Sequence, residues 1–95
     1  LAIAVPEEPQ NRVVAASAAD ELLNISGVDA SIVVAPDGNG GSFASARSIG
    51  ELNVQLIMEK VGGGGNRSAA AAQFAGTDVN TAVKRIYAAI DDYLG

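Results

Sequence analysis

Gly62-Gly63-Gly64-Gly65, followed by Asn66-Arg67, and the arginine at position 47 are the residues of this 95-residue chain best suited to chemistry. A phosphate oxygen needs several N–H donors converging at hydrogen-bond distance. Cβ atoms obstruct that convergence, and consecutive glycines remove the obstruction. Glycine inside regular structure costs roughly 0.5–1 kcal/mol relative to alanine, so four in succession point to a segment that needs positive φ or the close approach of another molecule. A second reading fits the same residues. Gly62 stands where a helix C-cap glycine belongs, and the rest would serve as a linker between elements. Residue types alone leave both readings open.

The elements that would position these residues can be read from periodicity. Val28 to Ala35 contains the β-branched run Ile32-Val33-Val34, Pro36 to Gly41 is a dense turn signal, and Ser42 to Ile49 follows, which together predict a hairpin. Period-two alternation along the second arm puts Phe43, Ser45, Arg47 and Ile49 on one face, and Ser42, Ala44, Ala46 and Ser48 on the other. Arg47 then shares a face with apolar residues near a strand end and needs an acidic partner or a ligand. An ion pair would be with Glu51 or Glu59, but the inward register favours a ligand. Asn53 is a plausible N-cap for a short helix with Val54, Ile57, Met58 and Val61 on one face, Glu59 and Lys60 outward, and its end at Gly62.

Upstream, Leu1 to Val5 reads as a well-buried strand closed by Pro6. From about Asn11, the residues Val14, Ala18, Leu22 and Ile25, flanked by Ala15 and Ala19, predict a helix to Gly27 whose outward face carries Arg12, Asp20 and Glu21. Downstream, the alanine run favours helix by propensity, but glycines on both sides leave little room for one, so a turn into a strand near Ala71 to Phe74 is expected. Thr77 or Asp78 can cap a last helix with the stripe Val79, Ala82, Val83, Ile86, Tyr87, Ile90 and Leu94. Asp91 and Asp92 in its final turn oppose the helix dipole.

Composition narrows the function classes. Hydrophobic residues make up 48% of the chain and charged residues 18%, a globular composition of a size for one domain. The absence of Cys and His removes disulfides, thiolate zinc sites, nucleophilic cysteine and imidazole acid–base chemistry. The eleven carboxylates are scattered without metal-site spacing. A net charge of −5 argues against a broad nucleic-acid footprint, although a few local cations could hold one small anion. No apolar run reaches the roughly 20 residues of a membrane-spanning helix. The apolar start without Met is expected of a piece of a longer protein.

The strand end Ser45-Ala46-Arg47-Ser48-Ile49-Gly50, the helix Asn53-Val54-Gln55-Leu56-Ile57-Met58-Glu59-Lys60 and the loop Gly62 to Gly65 form one unit. It resembles the C-terminal DHH-associated domain of the DHH phosphoesterases, and within them the cyclic-di-AMP phosphodiesterases. Asp20-Glu21-Leu22-Leu23-Asn24-Ile25 with Gly27-Val28-Asp29-Ala30-Ser31 is similar to the same group. The resemblance covers essentially the whole chain.

By that resemblance, residues 1–95 form an α+β substrate-binding domain in the order β-α-β-β-α-β-α, a mixed sheet with helices packed on it, and bind a cyclic dinucleotide. A DHH domain of the same chain would hold two manganese ions and carry out hydrolysis of the phosphodiester to a linear dinucleotide. This domain would be catalytically silent alone, have a cytoplasmic placement and make no membrane contact. Gly62, Gly63, Gly64 and Gly65 match the family's phosphate-facing loop, and Arg47 with Ser48 matches its strand-end anion contact. Asn66 stands where the family has His; it keeps a donor and an acceptor but loses the imidazole charge. Arg67 adds a neighbouring cation. The helix before the glycines points its partly negative end at them, so anion binding must rest on loop amides and Arg47. Other substrates of the superfamily, short oligoribonucleotides and 3′-phosphoadenosine phosphate, stay open, as does a non-enzymatic nucleic-acid-binding module like that attached to alanyl-tRNA synthetases.

Overall fold

Alternation along β2 and β3 divides the interior into two unequal cores, one on each face of a central sheet. The computed structural model describes residues Leu1–Gly95. In chain order the elements are β1 (Ala2–Ala4), α1 (Arg12–Ser26), β2 (Ala30–Pro36), β3 (Ser42–Ser48), α2 (Val54–Lys60), β4 (Gly64–Gly65), β5 (Ala69–Phe74) and α3 (Val79–Leu94). The expected order holds, with one addition: the glycine run contributes the two-residue strand β4. The five strands lie in the order β1-β2-β3-β5-β4. β1 is parallel to β2 and the other pairs are antiparallel, so the sheet is mixed.

On one face Ile32, Val34, Ala44, Ala46, Ala70, Ala72 and Phe74 pack against α2 and α3, which contribute Ile57, Met58, Ala82, Ile86 and Ile90. Full burial of one such isoleucine contributes about 1.5–3 kcal/mol. Arg85 lies over the Phe74 ring, its Cζ 5.1 Å from the centroid. On the other face only α1 packs, setting Ala15 and Ala19 against Val33, Ala35 and Phe43. Alanine at the contact lets the helix approach the sheet closely. That explains a correction to the expected stripe: Ala15, Ala19 and Leu23 are buried, whereas Val14 and Ile25 are exposed, Ile25 at 81%.

The caps follow the sequence closely. Asn11 Oδ1 accepts the Val14 N–H at 2.8 Å and Gly27 ends α1 at φ 69°. Asn53 Oδ1 accepts the Leu56 N–H at 3.3 Å, and Asp78 Oδ1 accepts the Thr81 N–H at 2.8 Å. Four further expectations are corrected. β1 is half-buried rather than well buried, because it forms one edge of the sheet. Ile49 leaves β3 and is 77% exposed, its N–H turned to the Asp29 carbonyl. Tyr87 and Leu94 are exposed, and Tyr93 packs inward instead, its hydroxyl accepting the Asn53 N–H at 3.0 Å. Asp92 is not simply opposed to the α3 dipole, since it pairs with Lys60 of α2 at 2.5 Å.

Candidate functional site

α1 lies over β1, β2 and β3 and leaves the β5–β4 side of its face uncovered. Ala71 and Gln73 of β5 are consequently exposed while Ala70, Ala72 and Phe74 are buried. The uncovered shelf is a cleft of about 420 Å³, bounded by Arg12 and Ala16 of α1, floored by Phe43, Ser45 and Arg47 of β3 and by Ala69 to Gln73 of β5, and rimmed by Gly63, Gly64 and Gly65. That volume lies in the range of small-molecule sites. The register explains the flat floor. Ser45 stands opposite Ala71, and Ala71 opposite Gly64, so the smallest side chains cross the sheet in one row.

The four glycines differ in what keeps them bare. Gly62 takes φ 87°, and the N–H groups of Gly62 and Gly63 donate to the carbonyls of Glu59 and Met58 at 3.2 and 2.8 Å. Those two amides cap α2 and are not free for an anion. A Cβ on Gly63 would lie 2.1 Å from the Ala71 carbonyl oxygen, and one on Gly65 would lie 2.4 Å from that of Ala69. Close approach to β5 therefore accounts for both. Gly64 alone has neither positive φ nor any neighbour within 4 Å of a Cβ, and it borders the cleft. Of the expected readings, the helix cap holds at the start of the run, and its remainder is an edge strand rather than a linker. An edge strand turns the backbone groups of alternate residues away from the sheet.

Arg47 is held by two contacts. Its Nε donates to Asp20 Oδ1 at 3.0 Å and its Nη1 to the Ala46 carbonyl at 2.9 Å. The partner is thus Asp20 of α1 and neither Glu51 nor Glu59. The side chain is 20% exposed against 59% for Asp20, and Nη2 makes no hydrogen bond within the protein. Free guanidinium donors therefore remain beside the cleft. Arg12, expected to face outward with Asp20, bends to the sheet instead, and its Nη2 donates to Gln73 Oε1. No carboxylate lines the cleft of a chain whose net charge is −5.

The remaining candidates are elsewhere. Ser48 projects to the opposite face of β3 from Arg47, and its hydroxyl accepts the Gly50 N–H at 3.3 Å. Asn66 Oδ1 accepts the N–H groups of Ser68 and Ala69 at 3.0 and 2.9 Å, which makes the side chain the organiser of the β4–β5 turn. Arg67 Nη2 donates to the Glu51 carbonyl at 3.1 Å, tying that turn to the segment before α2. Arg47 and Gly63 to Gly65 thus share the cleft, whereas Gly62, Ser48, Asn66 and Arg67 do not line it. Sequence reasoning missed Arg12, Ser45 and Gln73. Arg12, Ala16 and Asp20 recur every four residues beside the buried Ala15-Ala19-Leu23 stripe, which was the signal available.

No three Asp, Glu, His or Cys side chains lie together in a way that could hold a metal ion. The manganese implied by the resemblance belongs to a DHH domain, and no hydrolytic step is assigned to this chain. No helix is long and apolar enough to cross a membrane.

Comparison with known proteins agrees with this architecture. The cyclic-di-AMP phosphodiesterase GdpP of Bacillus subtilis (strain 168) is 47% identical over 87 residues, covering 92% of this chain and 13% of that protein. The cyclic-di-AMP phosphodiesterase GdpP of Geobacillus thermodenitrificans (strain NG80-2) is 46% identical over 86 residues, covering 90% of this chain and 13% of that protein. The chain thus spans about 13% of the length of these curated relatives. The crystal structure of an exopolyphosphatase-related protein from Bacteroides fragilis matches with a TM-score of 0.65 at 30% identity, over 79% of this chain and 22% of that one. The DHHA1 domain family profile matches residues 2–94. On these grounds the chain belongs to the DHHA1 domain family.

Proposed function

We propose that this domain is the nucleotide-binding lobe of a phosphodiesterase acting on cyclic-di-AMP, with the metal-dependent chemistry supplied by a DHH domain of the same protein. The observation that carries the reading is the cleft itself: Arg47 and Arg12 border a floor of Ser and Ala side chains beside Gly63–Gly65, and no carboxylate lines it. A guanidinium grips phosphate oxygens through paired donors, and the low floor leaves room for a flat base or a sugar–phosphate backbone to lie against the sheet. Relatives named as cyclic-di-AMP phosphodiesterases support the choice of ligand. The domain's part is to bind and orient; its affinity comes from charge-assisted hydrogen bonds, each worth about 1.5–3 kcal/mol net.

The test is an amide NMR titration of this chain with cyclic-di-AMP. Shifts are expected at Ser45, Gly63 to Gly65 and Ala69 to Gln73, and Arg47→Ala is expected to weaken binding at least about tenfold. Shifts confined to α3 and the far face of the sheet would sink the reading. Tighter binding of 3′-phosphoadenosine phosphate or of a short linear oligoribonucleotide would reassign the substrate.

A further inference from the structure

The outward face of α3 carries two large residues that the core leaves unused. Tyr87 and Leu94 belong to the apolar pattern of the last helix, yet they are 52% and 68% exposed, because Ala82, Ile86, Ala89 and Ile90 make its buried contact. Beside and between them stand Thr81, Lys84, Ala88 and Asp91, all exposed. Spacings of three and four residues put these six side chains in one stripe along the helix, opposite the buried one. Neighbouring charges are already engaged inside the domain: Asp92 pairs with Lys60 of α2, and Arg85 lies over the Phe74 ring. Lys84 and Asp91 are not. Neither belongs to the domain's two ion pairs, and neither has an opposite charge three or four residues away on its own helix. Lys84 aids the Asp78 cap only as a charge beyond ion-pair distance. Seven residues, roughly 10 Å along the axis, keep Lys84 and Asp91 from each other.

The stripe complements itself when reversed. Lys84 stands three residues before Tyr87 and Asp91 three after Ala88, while Thr81 and Leu94 stand six before and six after. We infer that this face of α3 is an interface with a second copy of the same chain, the two helices antiparallel about a two-fold axis between Tyr87 and Ala88. That axis sets Lys84 of each copy against Asp91 of the other, so one complementary charge pair occurs twice. It also sets each Tyr87 ring against the methyl of Ala88 in the other copy, a side chain small enough to admit it. A parallel arrangement would instead put Lys84 beside Lys84 and Asp91 beside Asp91, so the charges select the antiparallel one. The contact lies on the face of the sheet opposite the cleft, which leaves both clefts open and makes the inference independent of what the cleft binds. Six residues a side fall short of the roughly 20–30 of a stable interface, so the association is weak and reversible, with a dissociation constant on the order of 0.1–1 mM.

The test is sedimentation equilibrium of this chain from about 0.02 to about 2 mM, with amide spectra recorded over the same range. The average mass is expected to rise toward that of a dimer, with concentration-dependent shifts at Lys84, Tyr87, Ala88 and Asp91 and none at the cleft. Lys84→Asp and Asp91→Lys each place like charges at both contacts, and each is expected to weaken self-association at least about fivefold while remaining folded by its amide spectrum. Mixed together, the two variants are expected to associate with each other as tightly as the wild-type chain does with itself, because every contact between them again joins opposite charges. A role of either residue in the fold alone cannot produce that rescue. A wild-type chain that stays monomeric to the top of the range would overturn the inference and leave the face to a different occupant, such as the DHH domain proposed above. Self-association untouched by either variant would put the interface elsewhere, and failure of the mixed variants to associate would exclude the antiparallel pairing; either result overturns the inference.

Discussion

Gly63 and Gly64 are neighbours of one residue type with different reasons for being glycine, and substitution should separate them. A methyl on Gly63 meets the Ala71 carbonyl oxygen at 2.1 Å, a backbone atom that cannot move aside without shifting β5. Gly63→Ala is therefore expected to destabilise the fold by about 2 kcal/mol or more, read as a lowered denaturation midpoint. A methyl on Gly64 enters open space at ordinary φ, so Gly64→Ala should leave stability unchanged or raise it by up to about 1 kcal/mol through reduced freedom of the unfolded chain. The same methyl stands over the cleft and should weaken cyclic-di-AMP binding. If Gly64→Ala bound as wild type does, the glycine rim would have no part in recognition. The charged residues divide similarly. Asp20 fixes the Nε edge of Arg47 and leaves Nη2 for other partners, which gives a role to a carboxylate that periodicity assigned to solvent.

Each helix is delimited by a side chain that takes the first free amides, and in α3 this cap carries a pH dependence. The side chain and backbone N–H of Thr81 hydrogen-bond the Asp78 carboxylate, and Lys84 adds favourable charge, so its pKa lies below the ordinary 3.8. A depressed folded value means that the group's contribution is fully present above the unfolded pKa and is lost as pH falls through the folded one. Acidification below pH 3.8 is thus expected to weaken the α3 start, and Asp78→Asn, which retains an acceptor but cannot titrate there, should flatten this component of the acid melting curve. An acid profile identical in the two proteins would remove the cap from the explanation. The elements themselves were largely legible, since α1, α2 and α3 begin within a residue of their expected caps. β5 begins at Ala69, two residues before the expected Ala71, because an alanine run carries no strand pattern of its own; pairing with β3 imposes it. β4 was not legible at all, as two glycines have no side chains whose alternation could announce a strand.

At the scale of the molecule, the proposed function requires an acidic chain to attract an anion, and the feature that supports this is the placing of Arg12 and Arg47 at one cleft. Interactions of this kind are screened, so cyclic-di-AMP affinity is expected to fall at least about threefold as salt rises from roughly 0.05 to 0.5 M. A salt-independent affinity would mean that the phosphates lie outside the reach of Arg12 and Arg47. The sequence by itself determined the local matters: where helices start and stop, the hairpin and its turn, and the shared face of Phe43, Ser45 and Arg47. These depend on neighbours within a few residues, through capping, turn chemistry and strand alternation. Only the tertiary structure decided that α1 covers three strands of five, that Ala15 and Ala19 rather than Val14 and Ile25 make its contact, and that Asp20 is the partner of Arg47. Those outcomes depend on how closely a helix can settle on a sheet and on which strands become neighbours, and both are set by residues far apart in the chain.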